Sequence, residues 1–144
     1  MLLTHEQFIE EAQRRAVDWD NGFGMQCVDL IKWHCELVHG IKLGSFGGSA
    51  RNGWFNKAKT FDPKKFKRIP NTPTGIPQKG DYIFYDEPGI TGHVAIVQQA
   101  DVNDVLNFEM NGATGNGKGQ GFDKASFEAK RDYRKCLGWY HFIG

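Results

Sequence analysis

The sequence predicts an α+β domain in which N-terminal helices pack on an antiparallel β-sheet, and three observations predict it. Helical periodicity is confined to the first part of the chain, short apolar or alternating runs bounded by turn residues fill the part after Asp81, and Pro70, Pro73, Gly75 and Pro77 break the chain between the two. Strands that follow helices, and do not alternate with them, pair as hairpins.

Thr4 with Gln7 three residues on makes a capping-box start, and Phe8, Ile9, Ala12, Ala16 and Val17 then mark one face of a first helix. A second helix opens at Cys27. Its apolar residues Val28, Leu30, Ile31, Trp33, Cys35, Leu37 and Val38 recur at helical spacing, and Gly40 sits where a left-handed stop belongs. Ile41 to Gly48 reads as loop, and Ser49 to Asn56 as a short helix with Trp54 and Phe55 as candidate groove walls. The lysines and arginines between Lys57 and Arg68 read as a solvated surface. Tyr82–Tyr85, Gly92–Gln98 and Val105–Met110 are the expected strands, Gly112 to Gly121 a glycine-rich loop, and Tyr133 to Ile143 one or two closing strands.

At 144 residues the chain holds one domain, expected over 1–144, with no internal repeat and no separate binding domain visible. A net charge of +1 argues against nucleic acid as a partner. Three cysteines at 27, 35 and 136 match no disulfide or zinc spacing and read as reduced thiols. The first residues lack a basic start followed by an apolar run, and no stretch approaches a membrane span. The expectation is a chain made in the cytoplasm, with neither export signal nor membrane insertion.

The residues with chemistry in them lie in one window and one hairpin. Asp18 and Asp20 alternate, Gly22 and Gly24 leave backbone carbonyls open, and Asp29 closes the window at its twelfth place. A hard cation takes roughly six to eight oxygen ligands on such a rhythm. The window reads either as a calcium loop or as an Asp/Gly turn capping the next helix, because Phe23 stands where glycine is usual and Asp29 where a bidentate Glu is usual. Cys27 falls in the first turn of its helix, where unpaired N–H groups and the dipole favour a thiolate and offer an oxyanion hole. A buried core thiol is the other reading, and the one that suits Cys35. The short Ala100 to Asp104 connection makes a tight hairpin, which sets His93 opposite Glu109 or Asn111 on one side of the sheet. An imidazole held by such an acceptor is what a thiol nucleophile needs.

Gln26-Cys27-Val28-Asp29-Leu30, Gly80-Asp81, Gly92-His93-Val94-Ala95-Ile96-Val97 and Glu109-Met110-Asn111, in that order, resemble the CHAP family of cysteine, histidine-dependent amidohydrolases/peptidases. Gly121 to Ala125 and Tyr140 to Ile143 add to the likeness, and the chain closely resembles the catalytic domains of bacteriophage endolysins. The resemblance implies a papain-like fold, with Cys27 the nucleophile, His93 the base and later acid, Glu109 the group that orients His93, and Asn111 a polar support. It also implies a structural calcium ion on Asp18, Asp20, Gly22, Gly24 and Asp29. The implied substrate is bacterial peptidoglycan, cut as an endopeptidase or as an N-acetylmuramoyl-L-alanine amidase. The implied route is from host cytoplasm to cell wall through a membrane pore, with a separate wall-binding domain or subunit as a possible partner. Two other readings stand beside it: a non-catalytic wall-binding or calcium-stabilised module, and another papain-like wall peptidase.

Overall fold

The computed structural model describes residues 1–15, 27–87, 91–110 and 126–144. Helix α1 spans His5–Ala12 and opens on the expected capping box, with the Gln7 N–H donating to Thr4 Oγ1 at 3.1 Å and the Thr4 N–H to Gln7 Oε1 at 2.9 Å. Phe8, Ile9 and Ala12 are its buried stripe. The helix is shorter than the apolar spacing predicts, because Arg14 turns to a left-handed φ of 63° and the chain bridges to Ser126. Ala16 and Val17 lie outside the described residues.

Helix α2 runs Cys27–His34 and continues as a π-helical turn, Cys35–His39, that closes on Gly40 at φ 71°. The glycine stop is therefore where the sequence puts it. The short helix α3, Ala50–Phe55, is capped by Ser49, whose hydroxyl accepts from the Asn52 N–H, and ends on Asn56 in the left-handed region.

Six strands form one antiparallel sheet: β1 (Phe66–Pro70), β2 (Tyr82–Tyr85), β3 (His93–Ala100), β4 (Asp104–Glu109), β5 (Phe127–Asp132) and β6 (Cys136–Phe142), in the order β1-β6-β2-β3-β4-β5. The α+β expectation holds in this arrangement. Two strands escaped the sequence reading. β1 begins near the end of the basic stretch, where Phe66 is buried and Ile69 half-buried, and β5 has the half-exposed alternation of an edge strand. Only one strand closes the chain after Tyr133, where the sequence allowed two.

Alternation along β2 and β3 divides the core. Tyr82, Phe84, Val94 and Ile96 meet Phe8, Leu30, Ile31 and Trp54 on the helical side, and Ile83, Tyr85, Ala95 and Val97 join Trp139 and Val105 on the other. Gly138, at φ 149°, sits so close to the Ile69 carbonyl and the Trp54 ring that a Cβ has no room. Trp54, expected as a groove wall, is core instead, 4% exposed beneath the Arg68 guanidinium, while Phe55 stays exposed.

The start of α1 is docked by a chain of histidines. The Gln98 side-chain carbonyl accepts from His5 Nε2 at 2.6 Å, and His5 Nδ1 and His34 Nε2 share a hydrogen bond at 3.1 Å. His34 Nδ1 in turn meets the Tyr82 hydroxyl at 2.7 Å, and burial holds the His34 pKa well below its usual value. No described helix is long and apolar enough to cross a membrane.

Candidate active site

Three elements end at one place. Cys27 is the first residue of α2, His93 the first of β3 and Glu109 the last of β4, and α2 packs on β3. Cys27 is half-buried, whereas His93 is 2% exposed and Glu109 fully buried. The Cys27 and His93 side chains lie within hydrogen-bonding reach, and His93 Nε2 stands 3.1 Å from Glu109 Oε1. That nitrogen makes no well-aligned hydrogen bond among the described residues, so charge more than direction holds the pair.

The turn before β3 sets where His93 begins. Gly92 has φ 67°, and a Cβ there would stand 2.7 Å from the Tyr85 carbonyl oxygen and 3.2 Å from the Arg51 nitrogen. The Arg51 N–H donates to the Thr91 carbonyl at 2.9 Å, which seats this turn against α3. The β3–β4 ladder pairs Ile96 with Phe108 and Val97 with Asn107 after a register shift between Val97 and Gln99. Period-2 alternation then keeps His93 and Glu109 on the same face, with Glu109 diagonal to His93 and not directly across.

Burial works against charge on both groups, and their partners overcome it. For His93, desolvation favours the neutral ring, but Cys27 and Glu109 outweigh it and raise the pKa to about 9. For Glu109, desolvation favours the protonated acid, but Arg131 and then His93 outweigh it and lower the pKa to about 2. Arg131 makes the closest contacts, with Nε 2.5 Å from Oε2 and a terminal nitrogen 2.7 Å from Oε1. Asn107 Nδ2 donates to the Tyr85 hydroxyl at 3.0 Å and, more distantly, to Glu109 Oε2 at 3.4 Å. Thiol, imidazole and carboxylate thus stand in one chain of contacts, an arrangement of the kind thiol hydrolysis can use.

Of the residues singled out from sequence, the structure brings Cys27, His93 and Glu109 together. Asp29 lies buried in the first turn of α2. Asp18, Asp20, Gly22, Gly24, Asn111 and the Gly112 to Gly121 loop lie outside the described residues. Among those described, no group of three His, Cys, Asp or Glu side chains could hold a metal ion. The sequence reading missed Tyr85, Asn107 and Arg131. Asn107 had a signal, being two residues before Glu109 and so on its face; Arg131 had none, because it reaches the site only through the pairing of β5 with β4.

A CHAP domain family model matches residues 16–111. Among solved structures, that of the wild-type endolysin LysIME-EF1 superposes with a TM-score of 0.73 at 17% sequence identity, covering 98% of this chain and 64% of that one. The crystal structure of Ly7917 superposes with a TM-score of 0.61 at 15% identity, covering 97% of this chain and 63% of the other. At such identities the likeness is one of fold. The chain spans less than two thirds of the length of either.

Proposed function

Because this chain belongs to the CHAP domain family, we propose that it is a peptidoglycan hydrolase that cuts an amide bond of bacterial wall peptide with Cys27, His93 and Glu109. The observation that carries the reading is the buried His93–Glu109 pair at the mouth of the Cys27 helix. With Nε2 turned to Glu109, Nδ1 is the ring nitrogen left to take the thiol proton. The Cys27 sulfur then bonds to the amide carbon, and backbone N–H groups in the first turn of α2 stabilise the tetrahedral oxyanion. The C–N bond breaks as His93 gives its proton to the leaving amine. Water next attacks the thioester, His93 takes its proton, and the acid product leaves as that proton returns to sulfur. Glu109 stabilises the imidazolium that forms in each half and does not itself take a proton.

Calcium belongs to the same proposal. The Asp18, Asp20, Gly22, Gly24 and Asp29 window is all oxygen, which suits a hard cation, and the buried Asp29 carboxylate ties it to the first turn of the Cys27 helix. A bound ion would brace the approach to Cys27 and leave the bond-breaking steps to side chains. The site of action is the cell wall, with a wall-binding domain or subunit supplying attachment.

Turbidity loss of purified peptidoglycan tests the reading, with wild type and Cys27→Ala compared in calcium and in chelator. Lysis that disappears in Cys27→Ala is expected, with mass spectrometry of the fragments separating endopeptidase from amidase. Lysis that persists without the thiol would sink it. Lysis unaffected by chelation would remove calcium and leave the hydrolase.

A further inference from the structure

Glu109 carries a charge that its environment does not welcome. Fully buried carboxylates are costly to ionise unless a cation and hydrogen bonds compensate them. His93 cannot serve as that cation throughout turnover, because a base that accepts and returns a proton is neutral for part of each cycle. In those intervals Glu109 needs a charge that does not titrate. Arg131 supplies one.

The geometry is specific. The Arg131 fork places Nε on Oε2 and a terminal nitrogen on Oε1, and Oε1 is the oxygen that faces His93 Nε2. A bidentate guanidinium fixes the carboxylate plane as well as its charge. Asn107 Nδ2 backs Oε2, the Arg131 guanidinium lies 5.4 Å over the Tyr85 ring, and the Tyr85 hydroxyl accepts from Asn107. Along β5, Arg131 is opposite Val105 and Phe127 is opposite Glu109, with Ala129 between them on the same face. The small Ala129 side chain leaves the lane along which Arg131 reaches Glu109. Beyond the guanidinium opens a cavity of about 250 Å³ lined by Tyr85, Glu87, Lys130, Arg131, Asp132 and Arg134, so water keeps this cation solvated on one side.

We propose that Arg131 is a positioning residue for hydrolysis, holding the Glu109 carboxylate ionised and aimed at His93 in both protonation states of the ring. This rests on the Cys27, His93 and Glu109 reading above. The titratable groups facing Glu109 are His93 from β3, Arg131 from β5 and Tyr85 from β2, and Tyr85 and Glu87 also face Arg131. Loss of Arg131 removes the main interaction that lowers the Glu109 pKa, so the carboxyl takes up a proton at higher pH than in wild type.

The test compares wild type, Arg131→Gln and Arg131→Lys on purified peptidoglycan, with kcat and KM measured across pH and the Glu109 side-chain carboxyl followed by NMR titration, its signal assigned with Glu109→Gln. Arg131→Gln is expected to lower kcat about tenfold to a hundredfold, the range seen for losing a supporting partner one shell behind the reacting groups at metal sites. KM should change little, the acid limb of the profile should move to higher pH, and the carboxyl titration should move the same way. Arg131→Lys keeps charge without the fork and should recover part of kcat. Should Arg131→Gln fail to fold, Arg131→Lys decides alone, by a reduced kcat and an upward carboxyl titration. A folded Arg131→Gln or, failing that, Arg131→Lys with wild-type kcat and an unmoved titration overturns the proposal. If wild type shows no Cys27-dependent hydrolysis, it is the functional reading that fails, and the carboxyl titration still reports whether Arg131 sets Glu109.

Discussion

At the scale of single residues the three cysteines separate by environment. Burial pushes the Cys35 and Cys136 thiols up to about 12. At pH 8 each is then on the order of one part in 10⁴ thiolate. Cys27 is half-buried and lies beside His93. Iodoacetamide at pH 8 should label Cys27 first, the half-buried Cys136 far more slowly and the buried Cys35 only on unfolding; equal labelling of all three in the native protein would contradict these environments. Glu109→Gln keeps the side-chain shape but removes the charge that holds His93. Its kcat should fall by up to about 10⁴-fold, the worth of the carboxylate that orients and charges the imidazole in a catalytic triad, with circular dichroism checking that the variant stays folded.

At the scale of elements the site depends on where β3 starts. Gly92 is the joint, its φ of 67° and its missing Cβ letting the turn lie between the Tyr85 carbonyl and the Arg51 backbone. Gly92→Ala should destabilise the fold by about 1–3 kcal/mol through left-handed strain and crowding. Because the strain is released next to His93, kcat should drop more than stability alone explains, and misplacement by about 1 Å is worth roughly a hundredfold. Chemical denaturation read beside kcat separates the two effects, and a variant with wild-type values of both would show that the turn has other room to move. Element ends were the hardest part of the sequence to read, because distant contacts set them. α1 stops at Ala12 because Arg14 leaves to bridge Ser126, a residue far along the chain.

At the scale of the whole molecule, buried histidines of opposite tendency shape the dependence of stability on pH. Burial lowers the His39 pKa from 6.5 to about 4 and also pushes His34 well below its usual value. A base whose folded pKa is depressed contributes fully above the unfolded value, and that contribution is lost as pH falls from 6.5 toward 4. His93 has the opposite sign. Its pKa is raised to about 9, so its contribution is complete below 6.5 and is lost as pH rises through 9. Glu109, held down near 2, adds a further loss only below the ordinary glutamate range. Denaturant unfolding between pH 4 and 9 should therefore give a dome with its top near 6.5, and His93→Gln should flatten its alkaline side. A curve that is flat over this range would contradict the histidine assignments.

Most of the helical half, four strands and the positions of Cys27, His93 and Glu109 were legible in the sequence, because each depends on short-range order. A capping box, a glycine stop, helical spacing and a tight Ala100 to Asp104 hairpin are all written within a few residues of one another. Hairpin pairing alone also put His93 and Glu109 on one face. What only the tertiary structure decided is everything that needs a partner distant in the chain. β1 and β5 carry too little apolar alternation to announce themselves, since an edge strand buries only part of its side chains and takes its backbone partners from β6 and β4. Arg131 is an ordinary charged residue until that pairing brings it to Glu109. Trp54 looked available for a ligand until β6 passed beneath it at Gly138. Local pattern sets what an element is; the long-range ladder, whose register is fixed by burying one face of every strand at once, sets which side chains meet.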